Sequence, residues 1–139
     1  MPGKSPSQPK QTVLVVEDDP ILRSQLQEWL EEEGRFNVIL APSARGALDQ
    51  LAATRPDLVV LDLVLPDRSG YEVCEHIRKE PRTREVPVLA VSARQTPSHR
   101  AQAEEAGASL YMAKPLAKRE LLKNVRALLP GAGEEGRKP

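Results

Sequence analysis

A doubly wound α/β domain with a parallel sheet is the fold the sequence predicts, and three observations carry it. Short apolar runs alternate with longer segments whose apolar residues recur at helical spacing, the rhythm of repeated βα units. Several of the short runs are unbroken Val and Leu, which suits parallel strands covered by helices on both faces. The chain has 139 residues, 40% of them hydrophobic. That is enough for one domain burying on the order of two-thirds of the surface its unfolded form exposes.

The first strand is expected at residues 12–16 and leads into Asp19-Pro20, an Asp cap with Pro in the first helical turn. Ile21, Leu22, Leu26, Trp29 and Leu30 then stripe the first helix, Trp29 as core, and Gly34 ends it. A second strand at 36–40 precedes Ser43, the cap of a helix whose apolar side is Ala44, Ala47, Leu48 and Leu51. After the third strand, 57–61, Gly70 opens a helix around Tyr71, Cys74 and Ile77. The fourth strand, 87–91, is followed by a helix at about 98–106 with only alanines on its apolar face. Such a helix packs weakly and should move more easily than the others. The fifth strand, 109–112, leads to a helix striped by Leu121, Leu122, Val125, Leu128 and Leu129 and stopped by Pro130-Gly131. Residues 1–11 and 130–139 have no periodic apolar pattern and are expected as disordered tails around a domain spanning 12–129.

Composition excludes several functions. One Cys rules out a disulfide scaffold, and Cys74 in a helical apolar pattern reads as a buried, inert thiol. Lys+Arg 20 against Asp+Glu 20 gives zero formal net charge, which argues against direct nucleic-acid binding. No apolar run approaches the roughly 20 residues of a membrane span, and the polar, Pro-rich start has no signal-peptide core. The expectation is a cytoplasmic protein with no membrane insertion, whose electrostatic function is local.

In a doubly wound sheet, ligands sit beyond the carboxyl ends of the strands, where the strand order reverses. The first strand ends in Glu17-Asp18-Asp19, the third in Asp62 and the fourth in Ser92, and Lys114-Pro115 follows the fifth. Asp19 before Pro20 reads as a helix cap. Glu17, Asp18 and Asp62 exceed what one cap needs, and their like charges call for a cation. The potential ligands are all oxygens and neither His76 nor His99 lies at a strand end, so the ion is Mg²⁺ or Mn²⁺. Asp62 can then attack a phosphoryl group, with the metal and the Lys114 ammonium neutralising its oxygens and Ser92 donating a hydrogen bond. The product would be an aspartyl phosphate.

Four segments in order carry a specific resemblance: Val15-Val16-Glu17-Asp18-Asp19-Pro20, Asp62-Leu63-Val64-Leu65-Pro66-Asp67-Arg68-Ser69-Gly70, Val91-Ser92-Ala93 and Tyr111-Met112-Ala113-Lys114-Pro115. Together they resemble the receiver domain of two-component response regulators over about residues 11–129. The resemblance implies a flavodoxin-like (βα)5 fold with strand order 2-1-3-4-5. It makes Asp62 the phosphoacceptor and Glu17 and Asp18 the acidic pocket, with Asp18 and the backbone carbonyl of Val64 as direct Mg²⁺ ligands. Ser92 and Tyr111 resemble the switch pair, in which the hydroxyl moves to the phosphoryl group and the ring turns inward. Lys114 contacts the phosphoryl group, and Lys114-Pro115 is expected to be cis. A phosphoryl group adds roughly −1.5 to −2 charges, enough to bias a two-state loop and helix.

The implied partners are a histidine kinase or phosphotransfer protein and a downstream protein target at the face of the fourth helix, fifth strand and fifth helix. The receiver would be a monomer or a phosphorylation-dependent dimer, assisting only its own phosphorylation and dephosphorylation. Val64 and Arg94 flank the path of water to the aspartyl phosphate in this family, and this pair predicts slow intrinsic loss of phosphate. Lys118, Arg119, Lys123 and Arg126 give the last helix a basic side, either simply solvated or suited to an acidic partner. A haloacid-dehalogenase-type phosphatase needs a second Asp where Val64 stands, and a nucleotide or flavin site needs a phosphate-cradling loop where Glu17-Asp18-Asp19-Pro20 stands. After Pro130 nine residues remain, too few for an output domain, so the expectation is a stand-alone regulator. Its alternatives are a receiver cut from a longer regulator or hybrid kinase, and a phosphorylation-independent scaffold.

Overall fold

Alternating β and α segments build five strands, β1 (Gln11–Val16), β2 (Phe36–Ala41), β3 (Leu58–Asp62), β4 (Val88–Ser92) and β5 (Leu110–Ala113). Between and after them run α1 (Pro20–Glu31), α2 (Ala44–Ala53), α3 (Gly70–Lys79), α4 (Pro97–Ala106) and α5 (Lys118–Leu128). The structure, a computed structural model, describes residues 10–94 and 96–129. The sheet is parallel throughout, in the order β2-β1-β3-β4-β5 expected for a flavodoxin-like fold. Apart from Lys10 and Gln11, the expected tails lie outside the described residues, as does the Pro130-Gly131 stop. Gln11 belongs to β1, where its N–H donates to the Arg35 carbonyl at 3.0 Å.

Strand alternation divides the core into two layers. Leu14, Val16, Val59 and Leu61 face α2, α3 and α4, where they meet Ala47, Leu51, Val73, Cys74 and Ala103. Val13, Val15, Leu58, Val60 and Leu89 face α1 and α5, where they meet Leu26, Leu30, Leu121 and Val125. Burying a Leu or Val side chain is worth about 1.5–3 kcal/mol each, so both layers hold the strand ends rigidly. Cys74 is buried and burial pushes its thiol up to about 11, so the inert reading stands.

The starts of β3 and β5 fall one residue later than expected because a polar residue brackets each. Asp57 donates its N–H to the Thr12 carbonyl and accepts the Thr12 N–H on Oδ2 at 2.7 Å, acting as a clamp ahead of β3. Ser109 does the same for Val88, its Oγ accepting the Val88 N–H at 3.0 Å. Asp62 and Ser92 are the last residues of β3 and β4.

Two expectations for α1 need correction. Ile21 is 79% exposed, because the inward-facing stripe runs from the half-buried Leu22 through the buried Leu26 and Leu30 at spacing four and Ile21 stands off it. Trp29 is half-buried against the α1/α5 layer, a margin of the core. The helix ends at Glu31, and Gly34, with φ +78°, makes the turn toward β2 afterwards. On α4 only Ala103 and Ala106 are buried, matching the thin apolar face read from sequence. Among the described residues, no helix is long and apolar enough to cross a membrane.

Candidate functional site

The strand order reverses between β1 and β3, so the residues after β1 and at the end of β3 lie side by side. Glu17, Asp18 and Asp62 each bring a carboxylate oxygen within 4.8 Å of the others. Glu17 and Asp62 are 2% and 4% exposed while Asp18 faces solvent, so the cluster opens on the Asp18 side. Local backbone sets these carboxylates: the Asp19 N–H donates to Glu17 Oε2 at 3.1 Å, and the Val64 N–H to Asp62 Oδ1 at 2.9 Å. Asp19 itself caps α1, accepting the Ile21 N–H on Oδ1 at 3.0 Å.

Lys114 reaches in from the end of β5, its Nζ 3.0 Å from Glu17 Oε1 and 3.0 Å from Asp62 Oδ2. It is placed by its own N–H, which donates to the Ser92 carbonyl at 2.9 Å, and the Lys114-Pro115 peptide is cis as expected. Burial holds the Glu17 carboxyl above its ordinary range, Asp62 adds to this, and the Asp19 amide and Lys114 oppose it. Burial works against the Lys114 charge, yet its bonds to Asp62 and Glu17 outweigh that and hold its pKa above the usual value. Three clustered carboxylates against one ammonium repel at neutral pH. An all-oxygen donor set with an open side fits a hard divalent cation that keeps waters.

Ser92 is buried at the end of β4, and its Oγ accepts the Arg94 N–H at 3.1 Å. Tyr111 stands apart from the acid cluster: it is half-buried against the α2/α3/α4 layer, and its hydroxyl donates to the Arg94 carbonyl. The Arg100 guanidinium lies 4.8 Å over its ring. Ser92 and Tyr111 therefore hold the same peptide segment of the β4–α4 loop from its N–H and its carbonyl sides. Tyr71 instead ties the first turn of α4, its hydroxyl donating to the His99 carbonyl at 3.4 Å.

Three residues have roles at the site that the sequence did not assign to them. Arg23 donates from Nη1 to the carbonyls of Glu17 and Asp18, at 3.0 and 3.2 Å, bracing the acidic turn. A cation in the first turns of a helix opposes the dipole, and this was the signal that Arg23 has a tertiary partner. Asp67 accepts the Ala44 and Arg45 N–H groups on its two oxygens, each at 2.9 Å. Those two amides hold its carboxyl below the ordinary range, so the clamp is intact above pH 3.8 and is lost as pH falls through its lower folded value. Gly70 packs against the end of β3, where a Cβ would stand 2.4 Å from the Asp62 carbonyl oxygen.

The basic side of α5 is partly engaged. Lys118 lies 2.6 Å from Glu32, and Arg126 makes two 3.1 Å bonds to Glu33, tying α5 to the turn after α1. Arg119 and Lys123 are exposed. His76 and His99 join no metal-ligating cluster among the described residues, and His99 Nδ1 shares a 2.5 Å hydrogen bond with Thr96.

The chain matches the family model of the response regulator receiver domain over residues 13–126. It is 42% identical over 128 residues to the response regulator MprA of Mycolicibacterium vanbaalenii, covering 88% of this chain and 54% of that protein. The Mycobacterium avium response regulator MprA is 41% identical over 117 residues, covering 84% and 50%. The chain thus spans about half the length of the curated relatives it matches. Among solved structures, Vibrio cholerae chemotaxis protein CheY4 superposes with TM-score 0.82 at 25% identity, covering 86% of this chain and 99% of that one. The receiver domain of a Pseudomonas aeruginosa sensor histidine kinase, with a magnesium ion coordinated in its active-site cleft, gives TM-score 0.78 at 28% identity, covering 86% and 97%.

Proposed function

Because the chain belongs to the response regulator receiver family, we propose that it accepts a phosphoryl group on Asp62 from a histidine kinase or a phosphotransfer protein. The Asp62 oxygen bonds to phosphorus as the phosphorus–nitrogen bond of the donor phosphohistidine breaks, and the imidazole keeps the electron pair and takes up a proton. Glu17, Asp18, Asp62 and the Val64 carbonyl would hold Mg²⁺ or Mn²⁺, which supplies the positive charge that the phosphoryl oxygens need. The Lys114 ammonium would share that work, and Ser92 would donate its hydroxyl to a phosphoryl oxygen. The observation that carries this reading is the Lys114 ammonium poised 3.0 Å from both Asp62 and Glu17 in an otherwise acidic cluster. Incubation with Mg²⁺ and phosphoramidate should add one base-labile phosphoryl group by intact mass, and none when EDTA is present. No uptake in either condition overturns the reading.

The readout follows from the shared Arg94 peptide. When Ser92 turns to the phosphoryl group its Oγ leaves the Arg94 N–H, and the β4–α4 loop keeps only the Tyr111 side of its grip. Tyr111 then moves with the loop, and the weakly packed α4 shifts, which changes the α4-β5-α5 face offered to a protein target. The half-length match to the curated regulators favours a second form of this output, in which that face acts on a further part of the same polypeptide. An antibody to the receiver separates the two forms: the cellular protein runs near 15.3 kDa if the receiver acts by itself, and well above it otherwise.

Val64 is 46% exposed and lines, with Arg94, Leu65 and Tyr71, an open cleft of about 320 Å³ beside the β3–α3 loop. The Val64 side chain offers no hydrogen bond to an attacking water, and the Arg94 cation can pair with the phosphoryl oxygens. Phosphate loss is expected to be slow, and Val64→Asn with Arg94→Glu should shorten the lifetime severalfold in a quench time course. Unchanged lifetimes would remove this part of the proposal.

A further inference from the structure

From the two bonds that Asp67 makes across the fold, we infer that Asp67 is a positioning residue for the metal-binding loop, pinning its tip to the N-terminus of α2. The inference rests on the proposed role of the Val64 carbonyl as a metal ligand. The loop joining β3 to α3 is closed at its base by the Gly70 N–H on the Leu63 carbonyl at 3.0 Å and by an antiparallel bridge between Val64 and Ser69. Its near end is held by the Val64 N–H on Asp62. The tip, Pro66, Asp67 and Arg68, is exposed, and the Asp67 carboxylate also meets its own N–H and that of Arg68, contacts that order the tip locally without tying it to another element.

Helix α2 supplies that fixed point. Its own cap, Ser43, accepts the Gly46 N–H at 3.0 Å, and its first turn contains no acidic residue. The N–H groups of Ala44 and Arg45 are left without a helical partner, as the first amides of any helix are. Asp67 takes one on each carboxylate oxygen, from 23 and 22 residues away. A two-pronged carboxylate on adjacent amides fixes orientation as well as distance, and its charge suits the helix N-terminus. Val64 therefore sits between two anchors, Asp62 on one side and Asp67 on the other. Without the second, the loop that presents its carbonyl is held at its base alone, by the Gly70 and Ser69 contacts, and its tip has no tie to another element.

Calorimetric titration of the full chain with MgCl₂ alone tests this. Asp67→Ala should weaken Mg²⁺ binding roughly tenfold, the low end for loss of an outer-shell partner, and Asp67→Asn by less, since its amide oxygen keeps one of the two bonds. Ser43→Ala removes the cap of α2 without touching the loop and should bind Mg²⁺ as the wild type does. Amide hydrogen exchange at Ala44 and Arg45 should quicken in Asp67→Ala. Wild-type Mg²⁺ affinity in both Asp67 variants, with quickened exchange, would overturn the inference and leave Asp67 a cap of α2. Equal weakening by Ser43→Ala would also overturn it. No binding by the wild type would instead sink the metal site itself, before Asp67 enters.

Discussion

Asp62→Asn should abolish phosphoryl uptake while making the cation-free domain more stable, an unusual pairing that separates a functional carboxylate from a structural one. The side-chain amide has no nucleophilic oxygen, so uptake from phosphoramidate falls below detection. Asn keeps the shape of the buried side chain and retains an oxygen for the Val64 N–H. It removes one of three clustered negative charges, and Lys114 keeps its bond to Glu17. The gain without divalent cation is expected at about 1 kcal/mol, the size of a one-unit shift in a carboxyl pKa. Adding Mg²⁺ should reverse the order, because a ligand stabilises only the protein that binds it. Thermal unfolding of both proteins, with EDTA and with MgCl₂, checks the two halves. Phosphoryl uptake by the variant at the wild-type rate would move the acceptor elsewhere.

Gly70→Ala is expected to cost the most stability of any single-methyl change at the site. A Cβ at this position would stand 2.4 Å from the Asp62 carbonyl oxygen, 2.6 Å from Leu63 Cα and 3.0 Å from Leu63 C. All three are backbone atoms at the end of β3, with no flexible side chain to give way. Overpacking of this kind costs up to ~3 kcal/mol. Here the strain falls on the peptide that carries Asp62, so Mg²⁺ affinity should drop with it. Urea unfolding should show a lower midpoint at unchanged slope. A wild-type midpoint would mean that α3 slides off the strand end at little cost. The glycine is thus explained by close approach of backbone to backbone, since its φ is not in the left-handed region.

The strand-end chemistry was legible because it is local in sequence. Glu17 and Asp18 directly follow an apolar run, Asp62 and Ser92 close two more, and the α/β alternation alone brings such ends to one edge. The two faces of the sheet were legible for the same reason, as period-two strands must divide between two helical layers. Asp67 was not, because it reads as an ordinary turn residue after Pro66 and its partners are backbone amides of α2, which carry no residue signature. The pairs Lys118 with Glu32 and Arg126 with Glu33 join α5 to the turn after α1 across the packed layer. A stretch of sequence can show a basic helix side without showing what already occupies it. Ile21 misled because an apolar residue one position ahead of a stripe looks like part of it.

The central claim, that phosphoryl chemistry at Asp62 is read out on the α4-β5-α5 face, is tested most directly by amide NMR spectra. They would be recorded with Mg²⁺ before and after adding beryllium fluoride as a stable phosphoryl mimic, with Asp62→Ala alongside. Resonances of Asp18, Asp62, Ser92 and Lys114 should shift, the change should spread through Arg94 to Tyr111 and α4, and all of it should vanish in the variant. Shifts confined to the acid cluster, or a response that survives in Asp62→Ala, would contradict the claim.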